Sequence, residues 1–131
     1  MKDKGKLSIE PDYNNKPGVV FQPVNSTVWL RKAELPELFG VSIQKVNTCL
    51  DAVLKENIID VEESCKYELY VNRKHIRYDI REVNLVVIIA MAFRIDSYNA
   101  KILRQWFVGR CVYPGSNIPA PLSGTAGFCL N

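Results

Sequence analysis

The sequence has one histidine, His75, and four cysteines, Cys49, Cys65, Cys111 and Cys129, none of them in C-x-x-C spacing. A zinc site takes about four clustered Cys or His ligands, so no metal centre is expected. A lone histidine without an orienting partner, no Gly-rich phosphate loop and no G-x-S-x-G elbow leave no nucleophilic or acid–base constellation. The carboxylates Glu62 and Glu63 fall in a solvated acidic run. The expectation is therefore no enzyme, no cofactor and no small-molecule substrate. The longest apolar run, Leu85 to Phe93, is too short to span a bilayer, and the opening Met-Lys-Asp-Lys-Gly-Lys has no signal-peptide core. No membrane association is expected, and the setting that follows is a reducing cytoplasm with free thiols.

What remains is a chain of 131 residues with an ordinary apolar share, enough for one domain with tails. A net charge of +3 is only mildly basic. Bulk charge neither requires nor excludes a nucleic-acid partner, so the placement of charge matters more.

The stretch from Val28 to Leu54 carries the strongest pattern. Leu35, Leu38 and Phe39 sit at helical spacing before Phe39-Gly40-Val41-Ser42, and Val46, Cys49, Leu50 and Val53 sit at helical spacing after it. Gly40 suits the left-handed residue that ends a helix, and Ser42 suits the cap of the next. Together they spell a helix-turn-helix, whose second helix, in DNA-binding proteins, enters the major groove. Cys49 reads as a small core residue. Pro36 would cost roughly 3 kcal/mol inside a helix, so a late start is expected, with Pro36 in the first turn and Leu35 to Phe39 forming little more than one turn. Arg31 is a poor cap for it.

On either side the chain reads as follows. Residues 1–17 are polar, contain two prolines and read as a flexible N-terminal arm. Gly18–Gln22 and Ser26–Leu30 are β-branched and aromatic runs around Pro-Val-Asn, which predicts a hairpin with Phe21 and Trp29 over the helical core. Glu56–Ser64 predicts a connection with a short helical turn, anchored by Ile58, Ile59 and Val61. Lys66–Val71 and His75–Glu82 have strand character, the second alternating Ile76, Tyr78 and Ile80 with Arg77, Asp79 and Arg81. A hairpin directly after a helix-turn-helix is the wing of a winged helix. Asn84 caps an apolar helix, Leu85–Phe93, expected to be buried in the core or against a second subunit. Asp96 or Ser97 caps a last helix to about Val112. Residues 113–131, rich in Pro, Gly, Ser and Thr, read as a linker or loose tail, which suggests a fragment of a longer protein. The fold class expected is thus α+β: a winged helix-turn-helix-like domain over residues 18–112, with an N-terminal β-hairpin, a wing hairpin and two C-terminal helices.

The residues Val28-Trp29-Leu30, Glu37-Leu38-Phe39-Gly40-Val41-Ser42 and then Asn84–Trp106 resemble the RhuM-type (virulence protein RhuM) family of bacterial, mobile-element-associated proteins. The resemblance covers roughly residues 18–112. Its most specific part is Phe93-Arg94-Ile95-Asp96-Ser97 with Ala100, Arg104 and Trp106. The family is described as DNA-binding and its members are usually longer, so the resemblance implies a transcription-regulator-like role. Arg31 stands where the family tends to have Thr, Pro36 where it has Ala, Asp96 where it has Asn, and Val86 where it has an acidic residue.

With double-stranded DNA as the partner, the base-contact candidates are Ser42, Gln44, Asn47 and Thr48. Gln and Asn can pair with adenine, and Thr can touch a thymine methyl. Phosphate-contact candidates are Arg31, Lys32, Lys45, Arg73, Lys74 and Arg77. No arginine on the second helix is available to read guanine, so a homodimer would be needed for affinity, with the two C-terminal helices as core and dimer contact. Three points stay open. Arg73, Lys74 and Arg77 also fit a solvated edge that discourages sheet aggregation. Arg94 and Arg104 fit structural pairing, for instance with Asp96. The whole unit also fits a protein-interaction or dimerisation module that keeps the fold without DNA affinity.

Overall fold

The computed structural model describes residues 4–112. The chain is α+β, with two separate antiparallel sheets on a helical core. Strands β1 (Lys6–Pro11) and β2 (Pro17–Gln22) form a hairpin in which Leu7 faces Phe21 and Ile9 faces Val19. Strand β3 (Trp29–Arg31) leads into a 3-10 turn, Lys32–Glu34, and helix α1 (Leu35–Phe39). Helix α2 (Ile43–Lys55) follows, then one turn of helix, α3 (Val61–Ser64). Strands β4 (Cys65–Asn72) and β5 (His75–Asn84) form a long hairpin, and helices α4 (Leu85–Ala92) and α5 (Tyr98–Val112) complete the order. The second sheet runs β3-β5-β4.

Two expectations about the N-terminal part are corrected. The segment read as a flexible arm contains β1, and β2 pairs with β1 rather than with the run before Leu30. That run instead supplies β3, which pairs with β5. The turn between β1 and β2 is built by Asp12, whose carboxylate accepts the amides of Asn14 at 2.7 Å and Lys16 at 3.0 Å, an Asx-type turn. Phe21 packs edge-on against Trp106 of α5, with centroids 5.1 Å apart, so the hairpin covers the last helix. Trp29 instead lies under Lys66, whose ammonium is 4.8 Å from its ring.

The core is formed by the buried faces of α1 (Leu35, Leu38, Phe39), α2 (Val46, Leu50, Val53), α4 (Val87, Ile88, Met91, Ala92) and α5 (Ala100, Leu103, Phe107). Leu7, Val28, Ile80 and Val83 seal it from the strands. The α4 sequence is apolar all round, yet only one face is buried; Val86 and Phe93 stand half exposed. Of the three expected anchors after α2, Ile59 and Val61 pack against the core, whereas Ile58 is exposed.

Pro36 sits in the first turn of α1, where its missing N–H is no loss. The preceding 3-10 turn is held by the Glu34 carboxylate, which accepts the Arg31 amide at 2.7 Å. The expected weakness of this helix is thereby absorbed by its late start.

Gly5 has φ +78°, and a Cβ there would meet the Gln22 carbonyl oxygen at 2.8 Å and Val28 Cγ1 at 2.9 Å. Gly5→Ala therefore combines a left-handed backbone with a clash against the sheet and is expected to cost about 2 kcal/mol. Urea denaturation measures it; an unchanged midpoint would show that the segment behaves as the free arm the composition suggested.

Candidate nucleic-acid interface

The helix-turn-helix is held from behind by α5. Gly40 ends α1 in the left-handed conformation, φ 66° and ψ 40°. The last two carbonyls of α1 then need partners. Asn99 Nδ2 donates to the Leu38 carbonyl at 3.1 Å, and Ser97 Oγ donates to the Phe39 carbonyl at 2.7 Å. Ser97 also caps α5 by accepting the Ala100 amide at 3.0 Å. Arg104 reaches back from α5 and donates from one guanidinium nitrogen to the carbonyls of Ala92 at 2.9 Å and Ile95 at 2.8 Å, closing the end of α4. Arg94 pairs with Glu56 at the end of α2 and donates to the Ala90 carbonyl at 3.4 Å. Neither arginine pairs with Asp96, the partner offered from sequence. Both are structural, and Glu56 carries its own counter-charge.

Ser42 caps α2, its hydroxyl accepting the Lys45 amide at 3.2 Å. The side chains beyond it differ in what they offer a ligand. Gln44 is exposed and its amide makes no hydrogen bond among the described residues. Thr48 is exposed, but its hydroxyl donates to the Gln44 carbonyl at 3.0 Å, which leaves its methyl and oxygen lone pairs outward. Asn47 is half buried, and its Oδ1 is enclosed without a hydrogen-bond partner. A bidentate contact to adenine needs both ends of the amide, so Asn47 is placed less well than its spacing suggested. Lys45 and Asp51 are exposed, and neither has an ion pair among the described residues. Ile43 lies half exposed at the head of the helix.

The phosphate candidates are also sorted by the structure. Arg31 is partly engaged, with Nε 3.8 Å from the Glu34 carboxylate. Arg31 and Lys32 line one wall of an open groove of about 520 Å³, with Ile43 at one end and Asp79, Arg81 and Glu82 of β5 opposite. The mixed signs give this groove no strong net potential. Arg73 and Lys74 occupy the hairpin turn, exposed and without ion pairs among the described residues, with Arg73 at φ 54°. Arg77 takes the register position opposite Tyr70; its side chain lies outside the described residues.

The remaining charges of the hairpin neutralise one another. Arg81 pairs with Glu68 at 2.7 Å and Asp79 at 3.4 Å. The Tyr70 hydroxyl and then Arg81 hold the Glu68 carboxyl below the usual range. The Glu82 carboxylate lies 3.8 Å from Lys4 and 3.9 Å from Lys66, and its buried Oε1 makes no hydrogen bond. These pairings are invisible to spacing, because Glu68 and Arg81 meet only across the hairpin.

Among the described residues no group of His, Cys, Asp and Glu could hold a metal ion, and no helix is long and apolar enough to cross a membrane. Burial pushes the Cys65 thiol up to about 11. No protein-family model, curated protein or solved structure matches the chain.

The Arg104 fork closes the end of α4, the helix that packs against α2. Arg104→Lys keeps the charge but loses the two-carbonyl geometry, and is expected to cost about 1–3 kcal/mol. A lowered urea midpoint with an unchanged slope is the expected result; an unchanged midpoint would remove Arg104 from this role.

Proposed function

We propose that the chain is a DNA-binding module of the winged-helix kind, with the head of α2 in a major groove and the β4–β5 turn on phosphate. The observation that carries this reading is the pairing of a rigidly backed α2 with uncommitted groups at its head. Gln44 and Lys45 are exposed there, and no hydrogen bond or ion pair among the described residues holds their side chains. The element order supports it as well: a helix–Gly turn–capped helix followed by a hairpin whose sheet takes β3 as its third strand. The resemblance to the RhuM-type family supports a bacterial, mobile-element setting and a transcription-regulator-like role, which would be carried out in the cytoplasm.

In this mechanism Gln44 is the main base reader, with Thr48 against a thymine methyl or a phosphate, and Ser42 and Asn47 in lesser roles. Lys45, Arg73 and Lys74 supply the phosphate contacts, with Lys32 behind them and Arg31 and Arg77 as further candidates. Such a small set of cations gives weak and salt-sensitive binding for one copy, and a homodimer would double the contacts. A second reading, a protein-interaction module without DNA affinity, is favoured by the exposed apolar side chains of the β4–β5 hairpin and by the unpaired Asp51 on the outer side of α2.

Titration against mixed duplex DNA at about 50 and 200 mM salt separates the two, since phosphate-driven binding weakens steeply over that range. Binding at low salt is expected, with Gln44→Ala costing about 1–3 kcal/mol on a preferred site and the double change Arg73→Ala, Lys74→Ala lowering the salt slope by about 2. No binding at the lower salt would sink the DNA reading. Binding that survives loss of Gln44 and Thr48 but not of Arg73 and Lys74 would move the site from helix to hairpin.

A further inference from the structure

The β4–β5 hairpin runs out beyond the core it grows from. Near its base, a register shift between Lys66 and Tyr67 leaves Arg81 unopposed, so that Val83 and Ile80 both face the core. Beyond Ile80 the strands continue in regular register, with Leu69 opposite Tyr78 and Val71 opposite Ile76. Strand alternation puts these four side chains on the core-facing side of the ribbon, but there is no core that far out. They are 52, 55, 66 and 64 % exposed for Leu69, Tyr78, Val71 and Ile76. Tyr67 and Tyr78 stack edge-on at 5.0 Å, joining this row to the core.

β4 is also the outer strand of the sheet β3-β5-β4, so its far edge pairs with nothing among the described residues. A two-stranded ribbon is marginal in water by itself, and an unpaired, partly apolar edge is a template for another strand. The stretch Tyr67–Asn72 carries no proline and only one charge, Glu68.

We propose that β4 pairs antiparallel with β4 of a second copy, across a two-fold axis at Leu69. An isologous edge pairing of this kind is self-complementary by construction. The charge pattern selects the register. With Leu69 on the axis, Glu68 lies opposite Tyr70 of the other copy, Lys66 opposite Asn72, and Tyr67 opposite Val71, so no like charges meet. With Glu68 on the axis, two carboxylates would be directly opposed; with Tyr70 on the axis, Lys66 would face Lys74. The chosen register also brings the apolar faces of both ribbons into one layer. The other face of the ribbon is already neutralised by the Arg81 pairs with Glu68 and Asp79, so it does not oppose association. The alternative seat of a dimer, the open side of α4, offers two half-exposed side chains, Val86 and Phe93, and no unpaired backbone. This interface does not rest on the DNA reading, and either can fail alone.

Sedimentation equilibrium of the full chain up to about 100 µM, where a weak dimer would populate by mass action, is expected to show a dimer. Leu69→Lys would oppose two ammonium groups on the axis and should raise the dissociation constant at least about tenfold, with the circular dichroism of the parent retained because Leu69 is half exposed. Leu69→Cys should cross-link to itself under mild oxidation, since directly opposed Cβ atoms lie within disulfide reach, and faster than Glu68→Cys or the parent chain. A monomer throughout, a dimer indifferent to Leu69→Lys, or equal cross-linking at positions 68 and 69 would each overturn the proposal.

Discussion

Everything in this fold that bears on a ligand depends on how a few backbone carbonyls at helix ends are satisfied. Helix α1 has five residues, too few to be stable by itself. It is kept in place because α5 supplies donors to its last turn: Ser97 to the Phe39 carbonyl and Asn99 to the Leu38 carbonyl. Gly40 turns the chain so that those carbonyls point at α5, and its missing side chain leaves room for Asn99, which a Cβ would meet at 3.2 Å. The same helix closes the end of α4 through Arg104, and α4 holds the end of α2 through Arg94 and Glu56. A buried carbonyl without a partner costs roughly as much as a lost hydrogen bond. Removing one strut thus loosens the end of a neighbouring helix as well.

This arrangement shows what the segment between α4 and α5 does in the fold. Of the polar side chains in residues 93–97 and of Arg104, only Asp96 has no hydrogen bond or ion pair among the described residues. Arg94, Ser97 and Arg104 are each committed to a helix end. The segment therefore bears more directly on the fold than on the choice of ligand.

The helices and the long hairpin were legible because their signals are local. Gly40 and Ser42 mark a turn by their own conformational preferences, Asn84 caps α4 through its side chain, and the alternation of Ile76, Tyr78 and Ile80 identifies a strand. The first hairpin was missed although Leu7 and Ile9 alternate with Ser8 and Glu10, and Asp12 opens an Asx turn. Its composition is polar, and the alternation spans only four residues before Pro11, so the local signal is weak. The half of the site that spacing could not supply is of another kind. Alternation says which face of a strand is apolar but not whether the core extends far enough to cover it: Leu69, Val71, Ile76 and Tyr78 share the core-facing side of the hairpin and yet stand in solvent. Helical spacing likewise placed Asn47 on the open face, whereas its carbonyl oxygen is enclosed.

These two features bear on one another. The cations free for phosphate are few, and two of them, Arg73 and Lys74, sit at the far end of a hairpin whose flank is apolar. A single copy would present them on an isolated ribbon. Pairing through β4 with Leu69 on the axis would stiffen that ribbon into four strands and fix where its two turns lie. Arg73 is four residues from the axis, so at about 3.4 Å per residue the two turns would be separated by about 27 Å along the ribbon. That is short of one turn of duplex DNA, about 34 Å, and the turns would point in opposite directions. Two hairpin tips so placed suit phosphates flanking a single site rather than one tip per half-site. The same apolar flank that argues for a protein partner is then what would position the charges for a nucleic-acid one.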